Sequence, residues 1–324
     1  MELSPGFELP IEKRKAITKE FGDSGITWIE NYFSLLGKCL DRWHLTPLGI
    51  ADEGLPINVI IFCEDGSGSP VVLKLGHPHP EQKTQIIALR EYAGRNAVNL
   101  IHWDDESGSF LMERILPGNK YRDCRRDIER SGIPIALFEN LPLKATAIKG
   151  LPSFNDWLRR AFKKFRQNPA HDIEYLAFIE LAESLYSGLC QRHPKDYLLH
   201  GDLHHENILL DEERGWIAID PKGVIGPKLM ECGRYLHNVM QDEISGIDKI
   251  DDATESEILG VFKARFRTFS EMLGADYWEV VAAAYIDLVL SSCWSINSHE
   301  AVGYNRIRVL KKFIEQSPLE SVKE

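Results

Sequence analysis

The sequence predicts an α+β chain in two lobes: a small N-terminal lobe built on an antiparallel sheet with one helix, and a larger, mainly helical C-terminal lobe. Three observations predict it. Strand-like apolar runs separated by turns fill the first third, helical periodicity dominates from about residue 119, and between them "ERILPGNKY" carries the hinge-like Pro117 and Gly118. A chain of 324 residues has room for two cores. The lobes are assigned to 1–115, covering a nucleotide, and 116–324, carrying catalysis and the substrate, with the hinge at 113–118.

Each element has a local reason. "INVIIFCE" and "PVVLKLG" flank "DGSG", a pattern that makes a hairpin with its tip at Gly66 and Gly68. "NLIHWDD" and "SFLMERI" flank "ESG" and give a second strand pair. Between the pairs, "PEQKTQIIALREYAG" places Ile86, Ile87, Leu89 and Tyr92 at helical spacing, with Pro80 at the start and Gly94 at the end. In the second lobe Ser153 and Asp156 form a capping-box start for "SFNDWLRRAFKKFRQN", whose Trp157, Leu158, Ala161, Phe162 and Phe165 share one face. Its basic run "RRAFKKFR" is a solvated helix face rather than a nucleic-acid stripe. Further helices follow in "IEYLAFIELAESLYSGLCQRH", "TESEILGVFKARFRTFSEML", "YWEVVAAAYIDLVLSSCW" and "NRIRVLKKFIEQ".

Composition excludes several classes of function. With 44% hydrophobic and 27% charged residues the chain is neither disordered nor fibrous, and a net charge of −11 argues against a general electrostatic grip on nucleic acid. Six cysteines, at 39, 63, 124, 190, 232 and 293, contain no C-x-x-C pair, so reduced thiols are expected rather than a disulfide framework or zinc knuckle. "MELSPGFELP" lacks the basic-then-apolar pattern of a signal peptide, and Asp287 interrupts the most apolar late stretch. The expectation is a cytoplasmic protein that binds neither membrane nor nucleic acid.

The chemistry concentrates in "LLHGDLHHENILL" followed by "DEERGWIAIDPKG". An apolar strand ends at Leu199, a polar loop runs from His200 to Asn207, "ILL" begins a return strand, and "WIAI" supplies a partner strand that delivers Asp220. Asp202, Asn207 and Asp220 therefore converge at one mouth. Three oxygen donors on strand ends suit magnesium, a hard cation. Elsewhere Lys74 sits on an apolar strand, where an unpartnered charge is costly and a phosphate partner is favoured.

"HGDLHHEN" has the spacing of the protein-kinase catalytic loop, and "DPKG" stands where kinases carry Asp-Phe-Gly. Together with "VVLKLG", "ALREYAG", "FLMERILPG" and "CWS" in that order, it resembles the aminoglycoside phosphotransferase family of kinase-like enzymes. The resemblance is strongest to the streptomycin 6-phosphotransferase and hydroxyurea resistance kinase branch, over roughly residues 45 to 300. It implies a two-lobed kinase-like fold and an ATP- and Mg-dependent transfer of the γ-phosphate to a hydroxyl of a small molecule, such as an aminoglycoside-type antibiotic. It further implies that Asp202 is the catalytic base, that Asn207 and Asp220 hold magnesium, and that Lys74 pairs with the α- and β-phosphates. Backbone around Met112, Glu113 and Ile115 would meet the adenine. The chain departs from the family pattern in three places. Gln85 stands where an acidic partner of Lys74 is expected, leaving Glu81 as substitute; Asp52–Asn58, the phosphate-covering loop, is glycine-poor; and Asn297, Ser298 and His299 replace acidic residues after "WS".

Plainer readings stand beside these. Asp and Asn are common at strand ends, and His200 is expected to be a packed loop histidine rather than a zinc ligand. His204, His205 and Glu206 are placed on the rim, and Glu231 is read as a structural anchor with Arg234. A metabolic kinase acting on a sugar, amino alcohol or nucleoside, and a catalytically silent binding module, are the alternative functions.

Overall fold

The N-terminal third opens with a helix, α1 (Ile11–Arg42), because Trp28, Tyr32, Leu36, Cys39 and Leu40 recur at three- and four-residue spacing and are all buried. Gly22 interrupts it with φ 58° and ψ −135°, a conformation open to glycine. The structure, a computed structural model, describes residues 5–51, 57–123, 135–145, 148–167, 173–238, 244, 254–297 and 304–316. The chain falls into two compact units: Met1–Gly118 with Asp211–Ile217, and Asn119–Leu210 with Ala218–Glu324.

In the first unit a five-stranded sheet has the order β1-β2-β3-β5-β4, every neighbouring pair antiparallel. The strands are β1 (Thr46–Ile50), β2 (Asn58–Glu64), β3 (Pro70–Gly76), β4 (Leu100–Trp103) and β5 (Phe110–Glu113), with helix α2 (Pro80–Tyr92) between β3 and β4. Alternation in β2 buries Val59, Ile61 and Cys63, which join Val71, Leu73 and Leu75 of β3 and the apolar stripe of α1 in one core. The lobe therefore holds two helices, where the sequence reading assigned one. At the β2–β3 turn the Asp65 carboxylate accepts the amides of Ser67 (2.8 Å) and Ser69 (3.0 Å), which closes the predicted hairpin. In α2 the His79 ring caps the Glu81 amide, and Ala93 rather than Gly94 takes the left-handed C-cap position.

The second unit begins within β6 (Pro117–Lys120) and continues through α3 (Ile135–Asn140), β7 (Leu143–Lys144), α4 (Phe154–Arg166) and α5 (Ile173–Arg192). Ser153 and Asp156 make the predicted reciprocal cap of α4. Then come β8 (Asp196–Leu199), β9 (Ile208–Asp211), β10 (Gly215–Ala218), β11 (Val224–Pro227), α6 (Gly233–His237), α7 (Glu255–Leu273), α8 (Tyr277–Asn297) and α9 (Tyr304–Glu315). β8 lies between β11 and β7, so β9 returns into a different small sheet, beside β10.

Helix α8 packs against α4, α5, α6, α7 and α9, and Val280 through Leu290 are buried. A helix enclosed on all sides is apolar all round for that reason. Among the described residues no helix is long and apolar enough to cross a membrane. Gly233 lets α6 approach α8, since a Cβ there would stand 2.8 Å from the Ala283 carbonyl.

Candidate functional site

The loop after β8 is held from both sides. Glu231, 2% exposed, accepts the His200 amide at 2.7 Å and the Gly201 amide at 3.3 Å, while the His200 carbonyl accepts from the amides of Lys222 (2.9 Å) and Gly223 (3.1 Å). Burial pushes the Glu231 carboxyl up to about 7, against the pull of those amides. The loop, not Arg234, is thus what Glu231 anchors. Gly201 takes φ +77°, and a Cβ there would meet Trp157 at 2.7 Å and Val224 at 2.8 Å, so glycine is required twice over.

The His200 ring settles the loop further. Nδ1 accepts the Asp202 amide (3.2 Å), which assigns the proton to Nε2, and Nε2 donates to the Ile219 carbonyl (2.8 Å). Burial lowers its pKa to about 4, so this imidazole is neutral and structural. Through Ile219 it ties the Asp202 loop to the residue before Asp220, which itself adopts a left-handed φ of 59°. Asp tolerates that region better than most residues.

Asp202 emerges beside two cations. Its Oδ2 lies 3.7 Å from Lys222 Nζ, its Oδ1 lies 3.3 Å from Arg234 Nε, and His204 Nε2 is 4.0 Å away. Burial alone raises the carboxyl pKa, but Lys222, Arg234 and the two histidines outweigh it and hold Asp202 well below the usual carboxylate range. Arg234 is shared, since its Nε is also 3.1 Å from Asp287, a carboxylate that pairs with His237 Nε2 at 2.7 Å. Asp287, which breaks the apolar run of α8, is therefore explained by the charge it matches. Lys222, Arg234 and Asp287 carry no local pattern that links them to Asp202; only the fold does.

Asn207 sits at the end of a short 3-10 turn, and its Nδ2 donates to the Asp202 carbonyl at 2.9 Å. That bond directs the amide oxygen away from the loop. The Asn207 backbone carbonyl is held as well, accepting from Ile219 N, just past β10, at 2.9 Å. The structure thus brings Asp202, Asn207 and the Ile219–Asp220 corner together. Among the described residues no group of three or more His, Cys, Asp or Glu could hold a metal on its own. One carboxylate and one amide oxygen, completed by phosphate and water, is the kind of set magnesium takes, so these residues fit that ion.

The neighbouring loop residues divide. His204 caps the Glu206 amide, and Glu206 pairs with Arg122. His205 is not on the rim: it is 3% exposed, stacked on Tyr235 at 4.1 Å, with Nε2 3.2 Å from the buried Arg265.

The first unit holds the remaining predicted residues. Lys74, 3% exposed on β3, donates from Nζ to Gln85 Oε1 at 3.0 Å. Glu81 is exposed on the first turn of α2. Gln85 reaches the lysine from α2 because it lies on the buried face of the helix. The Glu113 carboxylate accepts from the Asn99 amide (2.7 Å) and from Arg214 (3.0 Å), and Ile115 is buried. Residues 52–56 of the expected phosphate-covering loop lie outside the described residues, as do Ser298, His299 and the side chain of Asn297.

Comparison with known proteins places the chain. Residues 42–294 match the family model described as aminoglycoside/hydroxyurea antibiotic resistance kinase. The chain is 26% identical to a streptomycin 6-kinase of Streptomyces glaucescens over 303 residues, covering 93% of this chain and 95% of that one. It is 29% identical to a hydroxyurea phosphotransferase of Kitasatospora aureofaciens over 224 residues, 68% of this chain and 65% of the relative. In fold it is similar to choline kinase LicA from Streptococcus pneumoniae, with a TM-score of 0.60 at 12% identity over 89% of this chain and 100% of the other. The fold is kinase-like.

Proposed function

The chain belongs to the aminoglycoside/hydroxyurea antibiotic resistance kinase family, and from that premise we propose that it moves the γ-phosphate of ATP to a hydroxyl of a small, antibiotic-type molecule. The first unit covers the nucleotide and the second carries catalysis. Lys74, steadied by Gln85, pairs with the α- and β-phosphates, and the backbone from Glu113 to Ile115 meets the adenine. Asn207 and Asp220 hold magnesium, which when bound neutralises phosphate charge. Asp202 accepts the hydrogen bond of the acceptor hydroxyl and orients its oxygen. Held ionised between Lys222 and Arg234, it is a weak base, so the hydroxyl proton passes to Asp202 late, as the new P–O bond forms and the bond from the γ-phosphorus to the β-phosphate oxygen breaks to release ADP.

The observation that carries this reading is the Asp202 carboxylate, kept charged by two cations on a loop whose His200, Gly201 and Asp202 amides are fixed. The relatives named above support the acceptor class. The test is a panel of hydroxylated compounds, with streptomycin, hydroxyurea and common sugars and amino alcohols among them, incubated with ATP and magnesium and followed by phosphorus NMR. A new phosphate monoester that forms only with both ATP and metal is expected. Nucleotide binding without any ester across the panel would favour a silent binding module.

A further inference from the structure

The chain fills the cation positions around its own base. Lys222 Nζ lies 5.0 Å and the Arg234 guanidinium 5.7 Å from the centre of the Trp294 ring, and the same two groups face the two oxygens of Asp202 at 3.7 Å and 3.3 Å. Trp157 meets Trp294 edge-on, with ring centres 5.4 Å apart. A cationic acceptor is recognised by carboxylates or by aromatic faces. Here the nearby carboxylate of Asp287 is matched by Arg234 and His237, and Trp294 already has two cations over it. Arg234 also keeps a buried Nη2 without a hydrogen-bond partner, a donor that favours an electron-rich neighbour. Lys222 cannot drift away with its loop, because its amide and that of Gly223 are fixed to the His200 carbonyl.

We infer that the acceptor is neutral or anionic around its reacting hydroxyl, and that Lys222 sets this preference by standing beside Asp202 and Trp294. The inference rests on the kinase reading above and narrows it. A positive group next to the reacting hydroxyl would be pressed against Lys222 and Arg234, whereas a carboxylate, carbonyl or urea oxygen there would be drawn to them.

Two measurements test it, one of which needs no turnover. In the first, the Trp294 contribution to fluorescence, taken as the difference between the wild type and Trp294→Phe, is quenched with iodide and with caesium. With each quenching constant divided by that of free N-acetyltryptophanamide, iodide is expected to quench it about threefold more effectively, and Lys222→Gln should bring this normalised ratio close to one while Lys222→Arg preserves it. In the second, kcat/KM is measured with ATP and magnesium for choline and streptomycin as cationic acceptors, hydroxyurea and glycerol as neutral ones, and glycerate as an anionic one. Neutral or anionic acceptors are expected to lead by about tenfold, with the margin reduced in Lys222→Gln. Normalised caesium quenching that equals normalised iodide quenching, preference for a cationic acceptor, or a preference untouched by Lys222→Gln overturns the inference. Failure of the kinase reading looks different: no acceptor of any charge is phosphorylated, and the quenching measurement then decides the charge of the site by itself.

Discussion

Replacing Glu231 by glutamine should change how stability depends on pH, and the size follows from the site. The carboxyl sits 2% exposed beneath the loop, with its pKa raised by burial from 4.5 to about 7. Below pH 4.5 it is protonated in both folded and unfolded chains and contributes no pH dependence. Between pH 4.5 and 7 the folded chain keeps a proton that the unfolded chain releases, so stability falls as pH rises, by about 3 kcal/mol in full above pH 7. Glutamine removes that slope. Its single amide oxygen keeps the 2.7 Å bond from His200 N and gives up the longer one from Gly201 N, a loss of about 1 kcal/mol. Relative to the wild type, Glu231→Gln is expected to be about 1 kcal/mol less stable at pH 4.5 and about 2 kcal/mol more stable at pH 8. Urea unfolding followed by tryptophan fluorescence at a series of pH values measures the difference. Parallel pH profiles for the two proteins would refute the account of how this loop is anchored.

Other perturbations address the same framework. His200, lowered to about 4 by burial, stays neutral when folded while the unfolded residue protonates near 6.5; its stabilisation is complete above pH 6.5 and declines by about 3 kcal/mol toward pH 4, and His200→Gln should flatten that acid arm in unfolding titrations. Gln85→Leu removes the 3.0 Å contact to Lys74, a hydrogen bond to a charged group worth about 1.5–3 kcal/mol, so the KM for ATP should rise at least about tenfold with a smaller change in kcat. An unchanged KM would separate Gln85 from nucleotide binding. Gly201→Ala forces a methyl group against Trp157 at a left-handed φ and should lower stability by at least about 2 kcal/mol in thermal melts.

Local patterns made much of this legible. The hairpin at Gly66 and Gly68, the capping box at Ser153 and Asp156, and the spacing of Asp202, Asn207 and Asp220 are each written within a short window, where turn chemistry and helix capping act. Helix α1 also had a signal in Trp28, Tyr32, Leu36 and Leu40, but Gly22 and the charged first turns obscured it. The partners of Asp202 were not readable, because Lys222 and Arg234 lie 20 and 32 positions beyond it and meet it through loop and helix packing. For the same reason the sequence points Glu231 to its neighbour Arg234, whereas the fold gives it the loop amides. Gln85 is visible in the sequence as a departure, but its burial on α2, which brings it to Lys74, is a property of the packed lobe.

The central claim is that an ionised Asp202, set between Lys222 and Arg234, orients the acceptor hydroxyl. Asp202→Asn keeps the shape and removes the charge, so single-turnover phosphoryl transfer at saturating ATP and magnesium tests it most directly. The account predicts a rate lower by about a thousandfold, with ATP affinity within about twofold of the wild type. A variant that transfers phosphate at the wild-type rate would contradict it.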